Sequence, residues 1–394
     1  MCHIDEIDMV EYFCDETKKE LMEDIQKISF FREEKLECIK VERGIVLPPY
    51  SDDMLVNSVI RLEKPTFGWG GIVSENHGFI NDSQMCAEPL IREGMICKKR
   101  FGGEYRFDDS QVERYVDEDV IYAGFFWKQW GHFLIDIIGR LWYALENTDK
   151  KIVFIVDKVS NTKISGNYLE LINLMGIDSK RIVLIDSMTQ FKSIYVPETS
   201  FYPGKYFTLE YMDIINRIKE SVAKSTARKT EFSKIYFSRS YFSSNEVGEK
   251  NLERIMECNG FKVLHPERLS ATEQINYIIN AKTIASVSGS VAHNALFANR
   301  ESDWYVFERD SEINPYQIQI NRMVGMKMVF IDAYWAKNKN TRVRKPYFLY
   351  CNNEVKSFVK SRGFKVDIFQ TEMLFIKEFI LYSLKVVKRS ILGK

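Results

Sequence analysis

Three ionisable residues stand four apart in an otherwise apolar stretch, Trp130-Gly-His-Phe-Leu-Ile-Asp-Ile-Ile-Gly-Arg-Leu-Trp-Tyr-Ala-Leu145: His132, Asp136 and Arg140. On a helix that spacing puts them along one face, and a helix apolar around most of its circumference is expected to be buried. Burial makes three such groups costly unless they pair or line a cleft. Two readings follow. In one, Asp136 and Arg140 form a structural ion pair and His132 is a satisfied core or capping residue. In the other, His132 or Asp136 is a general base at a cleft wall and Arg140 orients it.

A second constellation is suited to anions. Ser238-Arg239 follows the apolar run Ile235-Tyr-Phe, and Ser288-Gly289-Ser290 follows Thr283 to Val287. Each stands at the expected carboxyl end of a strand, where open parallel sheets bind ligands. Backbone N–H groups from Ser288 to Ser290 at a helix start, with a bidentate guanidinium from Arg239, would suit a diphosphate. Asp117-Glu118-Asp119 has the D-x-D form of a divalent-metal site, but its polar neighbours Glu113, Arg114 and Tyr115 read as a solvated turn. His3, His77 and His265 read as surface or loop residues. Dinucleotide-binding, Walker A, zinc-protease and nucleophile-elbow motifs are missing from the sequence, so the reading includes neither a metal nor a cofactor.

The elements that must position these groups can be read from periodicity. The first forty residues read as a Glu/Lys-rich helix. Short strand signals then run to about Val120, broken at Gly68-Trp69-Gly70-Gly71 and Gly102-Gly103, and a long apolar helix is predicted from Trp130 to Glu146. Apolar runs at 152–156, 182–185 and 193–196 with a helical stretch at 167–175 suggest parallel pairing. The polar stretch Ala223 to Ser233 reads as a linker. Beyond it come strands at 235–238, 261–264, 283–287, 304–307 and 327–331, separated by helices at 249–258, from Ser270, at 290–298 and at 315–323. The helix after Ser270 opens with the capping-box pattern Ser270-Ala-Thr-Glu273. The expected fold class is α/β, with two Rossmann-like domains facing a central cleft. The expected divisions are 1–228, 229–345 and a basic helical segment at 346–394.

The chain has 394 residues, room for two or three domains of about 150 each. Its 55 basic residues balance 55 acidic ones, which disfavours a globally basic nucleic-acid binder. Seven scattered cysteines without a C-x-x-C pair suit a reducing compartment. With no basic-then-apolar leader and no long apolar run, cytoplasmic residence is expected. The balance nevertheless averages an acidic N-terminal stretch and a basic end. Phe375 to Leu392 mixes apolar residues with Lys and Arg, as would a helix packed on the first domain or lying at a membrane surface.

Taken in order, several segments resemble glycosyltransferase family 61: Trp130 to Asp136 with Arg140-Leu-Trp142, Ile235 to Arg239, Val247 to Val263, Leu269 to Ile275, and Ser288-Gly-Ser290 with His293-Asn294 and Leu296-Phe297. The resemblance implies a GT-B architecture and inverting transfer from a nucleotide-sugar, such as a UDP-sugar, to a glycan or lipid-linked glycan acceptor in capsule-type polysaccharide synthesis. It further implies that Ser238, Arg239, Glu249, Ser288, Gly289, Ser290, His293 and Asn294 hold the nucleotide-sugar, and that His132, Asp136 and Arg140 are catalytic. The chain departs from the family where an Asn-Glu pair follows the Ser-Arg strand, having Gly248-Glu249. A non-catalytic sugar-nucleotide or glycan-binding scaffold is the alternative.

Overall fold

In the computed structural model, residues 10–47, 71–74, 78–82, 89–92, 96–98, 104–106, 112–156, 163–225, 231–241, 246–335 and 347–392 are described. The glycine breaks at 68–70 and 102–103, His3, His77, linker residues 226–230 and the basic residues at 337–345 lie outside them. The chain forms two compact units, Phe30–Ile218 and Met1–Ser29 with Lys219–Lys394.

The labelled strands are β1 (Val10–Phe13), β2 (Cys38–Glu42), β3 (Ile45–Leu47), β4 (Arg114–Phe125), β5 (Lys151–Ile155), β6 (Ile182–Ile185), β7 (Thr189–Pro197), β8 (Lys234–Phe237), β9 (Lys262–Leu264), β10 (Thr283–Val287), β11 (Asp303–Glu308) and β12 (Lys327–Asp332). The labelled helices are α1 (Glu16–Gln26), α2 (Asn167–Leu174), α3 (Leu209–Ser225), α4 (Glu249–Cys258), α5 (Ala271–Asn280), α6 (Pro315–Val324), α7 (Asn353–Ser361) and α8 (Ile368–Leu392). The expectation of α/β layers holds. The predicted N-terminal helix is instead a strand, β1, followed by the shorter α1, and the polar stretch from Ala223 begins inside α3.

The unit containing the C-terminus carries a six-stranded, all-parallel sheet in the order β9-β8-β10-β11-β12-β1. Its strands read as nearly continuous apolar runs because both faces are covered. One face sets Tyr236, Ala285, Phe307, Val329 and Ile331 against Leu252 and Ile255 of α4 and Val355 and Phe358 of α7. Side chains alternate along each strand, and on the other face Trp304 is fully buried and donates its indole N–H to Ser286 Oγ at 3.0 Å. The capping box at Ser270 and Glu273 forms, with hydrogen bonds of 3.1 and 2.8 Å. Strand β1 joins the far edge alongside β12, and α1 follows it into this unit. Sequence division at 1–228 therefore differs from the compact units, because the first elements pair with a strand more than three hundred residues away.

The other unit has a mixed sheet with a parallel centre in the order β6-β5-β4-β7. Antiparallel β2 and β3 extend it from β7, and strands 71–74, 78–82 and 89–92 continue from β3. Its core gathers Val120, Tyr122, Val153, Ile155, Ile185 and Ile194. Asp117-Glu118-Asp119 lies within β4, where the register against β7 shifts between Phe191 and Ser193. Asp117 and Glu118 are exposed at this bulge, so the acidic triplet sits in a strand rather than in the expected turn.

Candidate active site

In the all-parallel sheet β9 lies on one side of β8 and every later strand on the other, so the chain reverses direction across the sheet between β8 and β10. A crevice opens at the carboxyl ends of two such strands. Ser238-Arg239 leaves β8 there, and Ser288-Gly289-Ser290 leaves β10. A Cβ built on Gly289 would lie 3.2 Å from Arg239 Nη1 and 3.4 Å from Arg309 Nη2. Two guanidinium ends therefore converge over one glycine, whose φ of 122° is accessible chiefly to glycine.

Arg309 was not singled out by sequence. It stands directly after β11, by the same strand-end logic that selected Arg239, but a single arginine gave no other signal. Its guanidinium carbon stacks 4.6 Å from the Tyr347 ring centre. The predicted helix at 290–298 is a 3-10 segment, Ala292–Phe297. Six residues of that winding carry a weaker end charge than a full α-helix, so positive charge at this edge comes chiefly from the two arginines.

Several sequence-selected residues support this edge from beneath. Glu249 is buried, and its Oε1 accepts from the Arg239 backbone N–H at 2.9 Å and from Tyr236 Oη at 3.1 Å. Buried Ser238 donates to Glu253 and accepts from the Ser240 N–H at 3.0 Å. His293 and Asn294 are also buried. Asn294 donates to Gln274 Oε1 at 3.2 Å, and His293 Nε2 stands 3.4 Å from Asn314 Nδ2. Gly248 is required by local geometry: its φ is 92°, and a Cβ there would come within 2.0 Å of the Leu349 carbonyl oxygen.

Beneath Ser288 lies a buried polar cluster. Lys18 of α1 meets Asp332 at 2.5 Å, and Tyr334 donates to the same carboxylate at 2.9 Å. Burial pushes the Glu308 carboxyl up to about 7, although Lys18 and a hydrogen bond from Ser288 favour its ionised form.

The mixed sheet has its own switch point, between β4 and β7. The segment predicted as one helix follows β4 but changes winding repeatedly: α at Trp130–His132, π at Phe133–Ile137, 3-10 at Ile138–Arg140 and α again at Trp142–Glu146. Tertiary bonds account for these breaks. Fully buried Tyr211 donates to the Leu134 carbonyl at 2.8 Å, and Ser200 donates to the Gly139 carbonyl through N–H and hydroxyl at 2.8 and 2.7 Å. Arg181 caps the end with bonds to the carbonyls of Ala144, Asn147 and Lys150.

On the π turn, His132 Nδ1 lies 2.6 Å from Asp136 Oδ2. The imidazole stacks on Trp127 at 4.2 Å with 9° between planes, and Gln129 caps its backbone N–H at 2.7 Å. An ionised Asp136 can only accept, so Nδ1 carries a proton, and in the neutral imidazole that leaves the lone pair on Nε2. The His132 side chain is 20% exposed and Asp136 10%. Arg140 is buried, 5.7 Å from the Tyr122 ring centre. Glu198, the acid just after β7, is engaged bidentately by Arg32 at 2.5 and 3.2 Å. Among the described residues no group of three or more His, Cys, Asp or Glu could hold a metal ion.

These two edges lie within a stretch that a known family also spans. Residues 130–305 match the family model described as Glycosyltransferase 61. That match supports a glycosyltransferase of family 61, and it covers the His132 segment, the Ser238-Arg239 strand end and the Ser288-Gly-Ser290 turn. Arg309 lies just beyond it. No curated protein matches the chain.

Proposed function

We propose that this protein is an inverting glycosyltransferase of the GT-B type, moving a sugar from a nucleotide-sugar, in the first instance a UDP-sugar, to a hydroxyl of a glycan or lipid-linked glycan in the synthesis of a cell-surface polysaccharide such as a capsule. The observation that carries this reading is the convergence of Arg239 and Arg309 on Gly289 at the sheet's switch point. Two guanidinium groups match the charge and fork geometry of a diphosphate. They supply cationic stabilisation to the leaving group without a metal ion.

His132 is the proposed base. Its Nε2 takes the acceptor hydroxyl proton as that oxygen attacks the anomeric carbon; the bond to the diphosphate oxygen breaks, and the nucleoside diphosphate leaves with the electron pair. Asp136 fixes the tautomer and stabilises the imidazolium that forms, a positioning role. Arg140, buried against Tyr122, supports the same segment, while Glu249, His293 and Asn294 hold the donor loops in place. Cytoplasmic residence is proposed with this chemistry, in keeping with seven scattered cysteines that form no C-x-x-C pair.

Turnover and nucleotide binding separate the two roles. His132→Ala is expected to lower kcat about 100- to 10,000-fold with UDP affinity unchanged. Arg239→Ala and Arg309→Ala are each expected to weaken UDP binding about tenfold or more. Full turnover in His132→Ala would remove the base assignment, and wild-type UDP affinity in both arginine variants would remove the donor site. Full activity in EDTA is expected. A thermal-shift screen against UDP, GDP and CDP sugars identifies the donor, since a ligand of the native state raises its stability; no shift and no turnover with any of them would favour the scaffold reading.

A further inference from the structure

The last helix, α8, has two contrasting faces. One is docked on its own unit: Phe375, Phe379 and Tyr382 pack against Phe348 at ring separations of 5.6, 5.9 and 5.2 Å, and Trp335 packs on Phe375 and Phe379 at 5.3 Å. Buried Glu378 on this face accepts the Gly248 backbone N–H at 3.3 Å. The expectation that this segment packs on the first domain is thus replaced by packing beside α4 and the strands 246–247 and 347–348.

The opposite face is apolar and uncovered. Met373, Ile376, Ile380, Leu384 and Val387 are 54–61% exposed, and their spacing of three, four, four and three residues aligns them in one stripe. At 1.5 Å per residue the stripe is about 20 Å long. An isolated exposed aliphatic residue needs no explanation, but a continuous row of five does. The docked aromatic face prevents α8 from rolling over to hide it.

We infer that this stripe seats α8 on an anionic lipid surface, parallel to the bilayer plane. Charge complementarity selects that occupant. The helix carries Lys377, Lys385, Lys388 and Arg389 against Glu372 and the buried Glu378, the composition of an interfacial helix. Lys377 is exposed beside Ile376 and Ile380. A second copy of the helix is the weaker candidate, because self-pairing would bring equally basic helices together with Glu378 already committed inside the fold. No helix among the described residues is long and apolar enough to cross a membrane, so the contact lies in the interface. It attaches to the Gly248–Glu249 junction, whose carboxylate supports Arg239.

Co-sedimentation of the full chain with phosphatidylcholine vesicles, with and without phosphatidylglycerol, tests the inference. Capture is expected on the anionic vesicles at low salt, weakening as salt screens the headgroups. Ile376→Asp with Leu384→Asp, both at exposed positions, should reduce capture at least about tenfold while leaving the melting temperature and UDP binding intact. Lys377→Glu with Lys385→Glu should weaken capture on anionic vesicles and leave the small binding to neutral ones unchanged. No capture of the wild type, or equal capture of the Ile376/Leu384 variant, would overturn the inference. So would a wild-type dimer that the same variant converts to monomer and that no vesicle disperses.

Discussion

Replacing Glu308 with glutamine isolates one carboxyl beneath the proposed donor site. Glu308 is buried at the end of β11, where desolvation pushes its carboxyl from 4.5 to about 7. Lys18 and Ser288 favour the ionised form, whereas Asp310 and Asp332 oppose it. Because the folded value is raised, the native state keeps a proton that the unfolded chain releases. The stability contributed by this neutral carboxyl is therefore complete below about pH 4.5 and is lost as pH rises through about 7. At 1.36 kcal/mol per pH unit the loss approaches about 3 kcal/mol. Glutamine keeps the neutral shape at every pH. The unfolding free energy of Glu308→Gln minus that of wild type should thus rise by about 3 kcal/mol between about pH 4 and pH 8, as measured by urea denaturation across a pH series. A difference independent of pH would refute the reasoning, whatever its absolute size.

Gly248→Ala forces a Cβ against the Leu349 carbonyl oxygen in a backbone conformation that L-residues resist. A loss of about 3 kcal/mol or more is expected in denaturant unfolding, with UDP affinity reduced because Glu249 and Arg239 move with the junction. Arg181→Ala removes three hydrogen bonds to carbonyls at the end of the His132 segment and should cost about 2 kcal/mol, lowering kcat more than UDP affinity.

The C-terminal unit was largely legible in the sequence. Its strands are buried on both faces and its helices carry their own signals, from the capping box at Ser270 to Gly325 after α6, so local pattern and tertiary structure agree there. Where they disagree, the cause is nonlocal. Val10 to Phe13 is too short to register as a strand beside the Glu/Lys-rich α1, and its hydrogen-bonding partner is β12. The His132 segment reads as one helix because apolar composition is blind to winding; the π turn depends on Tyr211 and Ser200, more than sixty residues away. The four-residue spacing sets His132, Asp136 and Arg140 on one face, but it does not reveal that His132 and Asp136 bond to each other. Arg309 escaped notice because proximity to Gly289, not sequence context, gives it meaning.

Lys18 and Asp332 are 314 positions apart. At about 5–20 residues per second on the ribosome, the lysine emerges roughly 15 to 60 seconds before its carboxylate partner. Throughout that interval β1 and α1 cannot reach their final places, and the intervening unit can fold while they wait. A fragment beginning at Lys219 would expose the β12 edge that β1 otherwise protects, inviting pairing between molecules. The unit with the all-parallel sheet is consequently not separable by a single cut: β1 and α1, made first, belong to the last domain to be born.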